Sequence, residues 1–399
     1  MRSQMAAFEK TRRYYTILAL EVFNTILILL LLNVAVFLVW KIKRTYWDRN
    51  AVAAKYDTAD VNKAYPGLTT EQVNTLLGET WTRPVAYDPF THFRERPFKG
   101  AYVNVAHAGF RVGKDQGPWP INPKNYNVFL FGGSTTFGYG VADDQTLGSH
   151  LQGALDETAS GTKAYVYNFA QCSYYSPQER ILFEKLLMSG ATPNMAVFVD
   201  GLNDLYECFD DKPRFSDQYE GLIEGGMLYN LTAAVRESPL AKLVGKAVGI
   251  VAEKRKKALA TSGAKGTEAE QSREKAMMAA AAARYAENKK LLEAICAGSR
   301  IQPVFVWQPV PYYKYDLDCH PFKKGEFSTK LRAGRYEAMA GFVRDHPLGD
   351  DFLWCADIQD GVKEMLYVDG FHYSAAMNDR LARAITGLMR ERGLFPPRK

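Results

Sequence analysis

From Asn127 onward, short apolar runs recur, and each stops on a glycine or a polar turn. They are Asn127–Phe131, Ala164–Phe169, Met195–Val199 and Pro303–Trp307. Helical patterns lie between and after them: Gln145–Glu157, Gln178–Met188, the Ala-rich Lys275–Cys296 and the closing Ala375–Arg392. A fifth strand is expected near Phe352–Ile358. Short apolar strands alternating with helices predict an α/β domain, a parallel sheet with helices on both faces. In such sheets ligands bind outside the C-terminal ends of the strands. The chemistry is therefore to be sought in the turns that follow the runs.

Val22–Trp40 is a different kind of segment, an uncharged apolar run long enough to cross a bilayer as a helix. Tyr14 and Tyr15 precede it and Trp40 closes it, as interfacial aromatics do. Lys41, Lys43 and Arg44 follow where a signal peptide would carry a small-residue cleavage site, so the segment reads as an uncleaved anchor. Asn24 and Asn33 are candidates for hydrogen bonds to a partner helix. Basic residues flank both ends nearly equally. A very short leading tail before a large domain favours an anchor that leaves the domain outside the cytoplasm, in the periplasm.

The chain then divides into a basic tail (1–13), the single transmembrane anchor (14–40), a stalk and lead-in segment (41–120) and the main domain (121–399). One region breaks the strand–helix rhythm and reads as an insertion in a crossover, at about 209–273. Within it Leu240–Lys257 suits a helix packed on the domain or lying on a membrane surface, and Thr261–Ser272 is small, polar and expected to be mobile. The formal charge of +6 supports no nucleic-acid partner. Five scattered cysteines lack metal-type spacing, and an odd number cannot all pair within the chain.

The turn after the first run is the richest in chemistry. Asn127–Gly140 reads NVFLFGGSTTFGYG, which puts Ser134 at a strand's C-terminal end behind two glycines. A phosphate-binding loop would need Lys-Ser/Thr after its last glycine, and Gly138 is followed by Tyr139-Gly140. The G-x-G-x-x-G dinucleotide spacing is absent as well. A serine nucleophile requires a base, a group that orients the base, and donors for the oxyanion. Of six histidines, His372 sits three residues after Asp369, where a turn can bring carboxylate and imidazole together. Asn203 follows the third run in Gly201-Leu202-Asn203-Asp204, placed to aim its amide at developing charge. Asn168 to Tyr174 follows the second run and offers backbone N–H groups. His107 and His320 are expected to be structural or exposed.

Taken together these residues resemble the SGNH, or GDSL-type, hydrolases, in a bacterial membrane-anchored branch with a GGSTTFG first block. Gly132-Gly133-Ser134 is similar to that family's first block, with Gly133 in place of the commoner Asp. Asn168 matches the second block, but Ser173 stands at its glycine position. Gly201, Asn203 and Asp204 match the third block, and Asp369 with His372 the last. The resemblance implies a flavodoxin-like three-layer sandwich, its five parallel strands in the order 2-1-3-4-5. It implies Ser134 as nucleophile, His372 as base, Asp369 as its orienting group, and the Ser134 N–H, Ser173 N–H and Asn203 side chain as oxyanion donors. It implies no metal and no organic cofactor. Tyr174, Tyr206 and Gln308 at the same edge are candidate substrate contacts.

The expected activity is that of a membrane-anchored esterase that removes an O-acyl group, acetyl for instance, from a carbohydrate or lipid. An O-acyltransferase acting on a cell-surface polysaccharide would use the same triad with a sugar hydroxyl in place of water. A non-catalytic binding module on the same fold is the third reading.

Overall fold

The structure is a computed structural model that describes residues 2–46, 58–158, 163–224, 226, 232, 235–246, 248, 268–322 and 329–395. The chain divides into two units, Met1–Arg49 with Asp217–Thr267, and Asn50–Ser216 with Glu268–Lys399.

In the first unit one helix runs over Arg2–Tyr46, so the basic tail continues into the apolar run without a break. Phe8–Lys41 is long and apolar enough to cross a membrane. Its large side chains, Phe23, Leu30 and Leu31 among them, are exposed. The polar residues inside it are satisfied locally: Thr16, Thr25 and Asn33 donate to the carbonyls of Arg12, Glu21 and Leu29. In an apolar surrounding that is how such groups avoid an unpaired donor. Asn33 Oδ1 also accepts the Leu240 N–H at 3.0 Å, which brings the helical residues 235–246 against this helix.

The second unit opens with the helices Thr58–Lys63 and Thr70–Trp81. The latter starts on a capping box, Thr69 with Gln72, which satisfies two helix-end donors reciprocally. Two small hairpins follow, β1 (Val85–Asp88) with β2 (His92–Glu95), and β3 (Phe98–Lys99) with β4 (Asn104–Val105). The central sheet comprises β5 (Tyr126–Gly132), β6 (Ala164–Asn168), β7 (Met195–Asp200), β8 (Gln302–Trp307) and β9 (Phe352–Trp354). Every neighbour pair is parallel, in the order β6-β5-β7-β8-β9. That is the expected 2-1-3-4-5, with helices on both faces. The last strand is shorter than expected and stops at Trp354.

The pleat sorts the core into two chemistries. On one face Phe131, Phe198 and Phe305 are register partners and stack at 5.0 and 5.4 Å, beneath Phe183 and Tyr285 of the flanking helices. On the other face Val128, Leu130, Val197, Val199, Val304 and Val306 pack under the helices Leu147–Thr158 and Ala375–Glu391. β5 is buried along its length after Tyr126. The turn behind it is thereby held at the middle of the sheet's C-terminal edge.

Two expectations change. From Thr58 on, the stretch read as a stalk belongs to the folded unit: Val61, Tyr65, Val73, Leu76 and Leu77 form a third core with Phe137, Tyr139 and Val368. The long helix also begins earlier than Lys275. It spans Glu268–Ser299, so the last residues of Thr261–Ser272 are its first turn, while 261–267 lie outside the described residues, as do 247 and 249–257 of Leu240–Lys257. No strand occurs among the described residues of 209–273, and all five cysteines are free thiols.

Candidate active site

Ser134 opens a one-turn helix, Ser134–Phe137, directly after β5. The turn is tight enough to need both glycines. A Cβ on Gly132, at φ 155°, would meet Thr136 Oγ1 at 2.3 Å, and one on Gly133 would meet Asn203 Nδ2 at 2.3 Å. Neighbouring loops tie the turn down. Asn168 Nδ2 donates to Thr136 O at 2.8 Å, and the Gln171 N–H donates to Gly132 O at 3.0 Å. The fully buried Arg111 donates to the Phe137, Gly138 and Val141 carbonyls and pairs with Asp143 at 2.7 Å.

His372 comes from the loop between Leu366 and Ser374, which closes on itself through Val368 N–H to His372 O and Ser374 N–H to Leu366 O, both 2.9 Å. Asp369 organises the turn. Its Oδ1 accepts the N–H groups of Phe371 (3.0 Å) and His372 (2.9 Å), which leaves Oδ2 facing the imidazole. His372 Nδ1–H donates to Asp369 Oδ2 at 2.7 Å, and Ser134 Oγ–H donates to His372 Nε2 at 2.8 Å. The carboxylate partner fixes the proton on Nδ1 and frees Nε2 as acceptor. Burial alone would raise the Asp369 carboxyl. The facing imidazole and the two backbone donors outweigh it and hold the carboxyl below its ordinary range.

Donors gather on the other side of Ser134. Among the described residues neither the Ser134 N–H nor the Ser173 N–H has a hydrogen-bond acceptor in the protein. Ser173 reaches its position in the left-handed region, at φ 58°, where the resembled family has glycine. Asn203, on the short helix Leu202–Leu205, points its amide at this turn and uses one N–H on Tyr174 O at 2.6 Å. Ser134, Ser173, Asn203 and His372 are all at least nine-tenths buried. A buried donor that lacks an acceptor costs about 1–3 kcal/mol. Two of them beside a serine hydroxyl are a ready place for an oxygen that acquires negative charge.

The proposed substrate contacts are placed differently. Tyr174 is buried and its phenol donates to Phe93 O. Gln308 is also buried, and its Oε1 accepts from Thr135 (2.7 Å) and Tyr373 (3.1 Å). Both tie loops together, with those polar atoms taken up inside the protein. Tyr206 is half-buried in an aromatic group with Tyr312 and Tyr336. His107 is exposed. His320 is buried beside Asp369, and burial lowers it to about 4, so it is neutral at physiological pH.

Residues that motif reading did not reach complete the walls. Trp81 packs edge-on to His372 at 5.3 Å between ring centres, and Tyr139 lies on the same ring at 5.5 Å. Tyr65 lies close enough to Asp369 for that charge, after burial, to help raise its phenol. Behind the Asn203 loop sit three buried carboxyls, Glu179, Asp200 and Asp204. Burial pushes each one up, and for Glu179 and Asp200 the neighbouring carboxylates add to it.

No family model matches this sequence, and no curated protein matches it. The chain is similar to several solved structures at low identity. A lipase from a goat rumen metagenome aligns at TM-score 0.38 and 12% identity, over 68% of this chain and 99% of that one. An acetylxylan esterase from Geobacillus stearothermophilus aligns at TM-score 0.36 and 12% identity, over 69% and 97%. Another acetyl xylan esterase aligns at TM-score 0.35 and 11% identity, over 65% and 98%. At these scores the likenesses carry no argument about what this chain does.

Proposed function

We propose that this protein is a membrane-anchored serine esterase of the SGNH type that removes an O-acyl group, such as acetyl, from a carbohydrate or lipid. One observation carries the reading: the hydrogen-bond chain Ser134–His372–Asp369 beside two backbone N–H groups that have no acceptor among the described residues. In this mechanism His372 Nε2 takes the hydroxyl proton as Ser134 Oγ bonds to the acyl carbon. The carbonyl oxygen, which takes up the π electrons and becomes negative, is held by the N–H groups of Ser134 and Ser173 and by Asn203 Nδ2. His372 then returns the proton to the departing alcohol oxygen, leaving an acyl-serine. Water, deprotonated by the same nitrogen, releases the acid and restores the serine. Asp369 keeps the imidazole in the tautomer that this cycle needs.

The helix Phe8–Lys41 anchors the protein in this reading, with the folded unit outside the cytoplasm. A fluorophosphonate probe tests the nucleophile. Labelling is expected in the wild type and lost in Ser134→Ala, and undiminished labelling of Ser134→Ala defeats the assignment. Paired C-terminal reporters, one active only in the periplasm and one only in the cytoplasm, test the orientation; signal from the cytoplasmic reporter alone reverses it.

A further inference from the structure

The chain between Cys208 and Ser216, the start of the expected insertion, runs past the oxyanion side of the site. Asp211 pins it, accepting from Tyr175 OH at 3.0 Å and pairing with Arg284 at 3.5 Å. Phe215 packs edge-on to Phe93 at 5.2 Å, and Phe93 packs on Tyr174, next to Ser173. Backbone strain is concentrated there. Asp211, Phe215, Ser173 and His92 hold φ of 66°, 73°, 58° and 72°. Each is a side-chain-bearing residue in a region that glycine prefers, and such strain persists where packing over-determines a functional position.

That geometry presents Arg214. Its Nη1 donates to Ser173 Oγ at 2.9 Å, with Cys172 Sγ at 3.6 Å, and its guanidinium lies over the Phe215 ring at 5.1 Å. The residue is otherwise exposed. Nearby acids are already engaged, Asp211 by Arg284 and Glu95 by Arg83, and among the described residues no carboxylate pairs with Arg214. A guanidinium carries five N–H donors. Here one meets a neutral hydroxyl, and among the described residues no carboxylate stands within ion-pair distance of this exposed cation.

We infer that Arg214 binds an anionic group on the alcohol part of the ester. The inference rests on Ser134 being the nucleophile. Ser134 and His372 are buried, and Arg214, bonded to Ser173 on the oxyanion side, is exposed; in this inference the acyl carbon reaches Ser134 while the alcohol extends outward past Arg214. The substrate class is thus an acylated alcohol bearing a carboxylate or a phosphate close to the ester. A guanidinium pairs with either group through charge-assisted hydrogen bonds.

The test compares kcat/KM of the full chain in detergent for phenyl acetate, 3-acetoxybenzoate and 3-acetoxyphenyl phosphate. The readout is the ratio of anionic to neutral ester within each variant. Wild type is expected to favour an anionic ester by about 10-fold, as a charge-assisted hydrogen bond allows, less so at high salt. The larger of its two ratios identifies carboxylate or phosphate. Arg214→Gln should bring the ratio to about one, Arg214→Glu should invert it, and Arg214→Lys should keep part of it. A wild-type ratio near one overturns the inference without any variant, as does a ratio that Arg214→Gln leaves intact. Absence of turnover with every ester, together with absent fluorophosphonate labelling, overturns the serine assignment and this inference with it.

Discussion

Gly133→Ala should disable the site through a neighbour while leaving the fold in place. Gly133 has φ −84°, a conformation alanine adopts freely, so the backbone adds no strain. The new Cβ, however, would lie 2.3 Å from Asn203 Nδ2 and 3.3 Å from Tyr174 O. Carbon needs about 3.5 Å from such atoms, so the amide must retreat by roughly 1 Å. It has little freedom to do so: Asn203 is buried, its Nδ2 is bonded to Tyr174 O, and its backbone is held by the Cys208 N–H donating to Asn203 O at 2.9 Å. Breaking the amide's bond to Tyr174 costs about 1 kcal/mol, a few degrees of melting temperature. Losing an oxyanion donor costs about 10²–10³ in kcat. The expected result is a folded protein, melting slightly lower, with kcat on an acyl-nitrophenol down about 100-fold. Asn203→Ala should show the same loss, and the double variant little more than either, because both remove one interaction. If the two losses multiply, or if Gly133→Ala turns over normally, the amide is not the group that Gly133 makes room for.

Other consequences are as direct. Asp369→Asn should lower kcat by about 10³–10⁴ with the fold intact, since an amide no longer holds the Nδ1–H tautomer; steady-state kinetics with circular dichroism checks both. Arg111→Met should strip the Phe137, Gly138 and Val141 carbonyls and Asp143 of their donor, costing about 3–5 kcal/mol and roughly 10 degrees in a melting scan. Asp200→Asn should stabilise. Its carboxyl is raised on folding, so the folded protein keeps a proton that the unfolded chain loses above about pH 4. Stability therefore drains as pH rises from there toward the raised folded value, and the gain in melting temperature should be larger at pH 8 than at pH 4. An equal gain at both would remove the ionisation argument.

The sheet was legible because its strands are buried on both faces. Val128 to Phe131, Met195 to Val199 and Val304 to Trp307 are apolar at every position, and such runs announce themselves whatever surrounds them. The structure extends these three by a residue or two at an end: Tyr126 and Gly132, Asp200, and Gln302. β9 is the exception. Phe352–Ile358 continues as an apolar pattern, yet pairing ends at Trp354, opposite Trp307, where its one partner β8 also ends. The stalk reading of the stretch from Thr58 was the larger difference. Thr70–Trp81 carries a capping box and a buried stripe of Val73, Leu76, Leu77 and Thr80, a helix signal that the polar composition of its surroundings obscured.

At the site, motif spacing places residues on strand ends but says nothing of backbone sign. Ser173 shows the gap. Serine at a glycine position left the left-handed conformation open, and only the structure gives φ 58°. Once that angle is known, the Arg214 contact gains meaning, because Ser173 then has two faces. Its N–H has no acceptor among the described residues, while its Oγ accepts from Arg214. A glycine there would supply the N–H alone. Trp81 and Tyr65 could not be found by any local pattern either, since each meets the His372 loop from hundreds of residues away and only the third core brings them there. What the segment before the sheet supplies is a wall over an imidazole, and what the segment after β7 supplies is an exposed guanidinium bonded to Ser173. Both lie outside the motif blocks. In a fold whose strand ends can fix the reacting groups, the selection of substrate can fall to such connecting segments, and the inference drawn for Arg214 assigns that part to Asp211–Ser216.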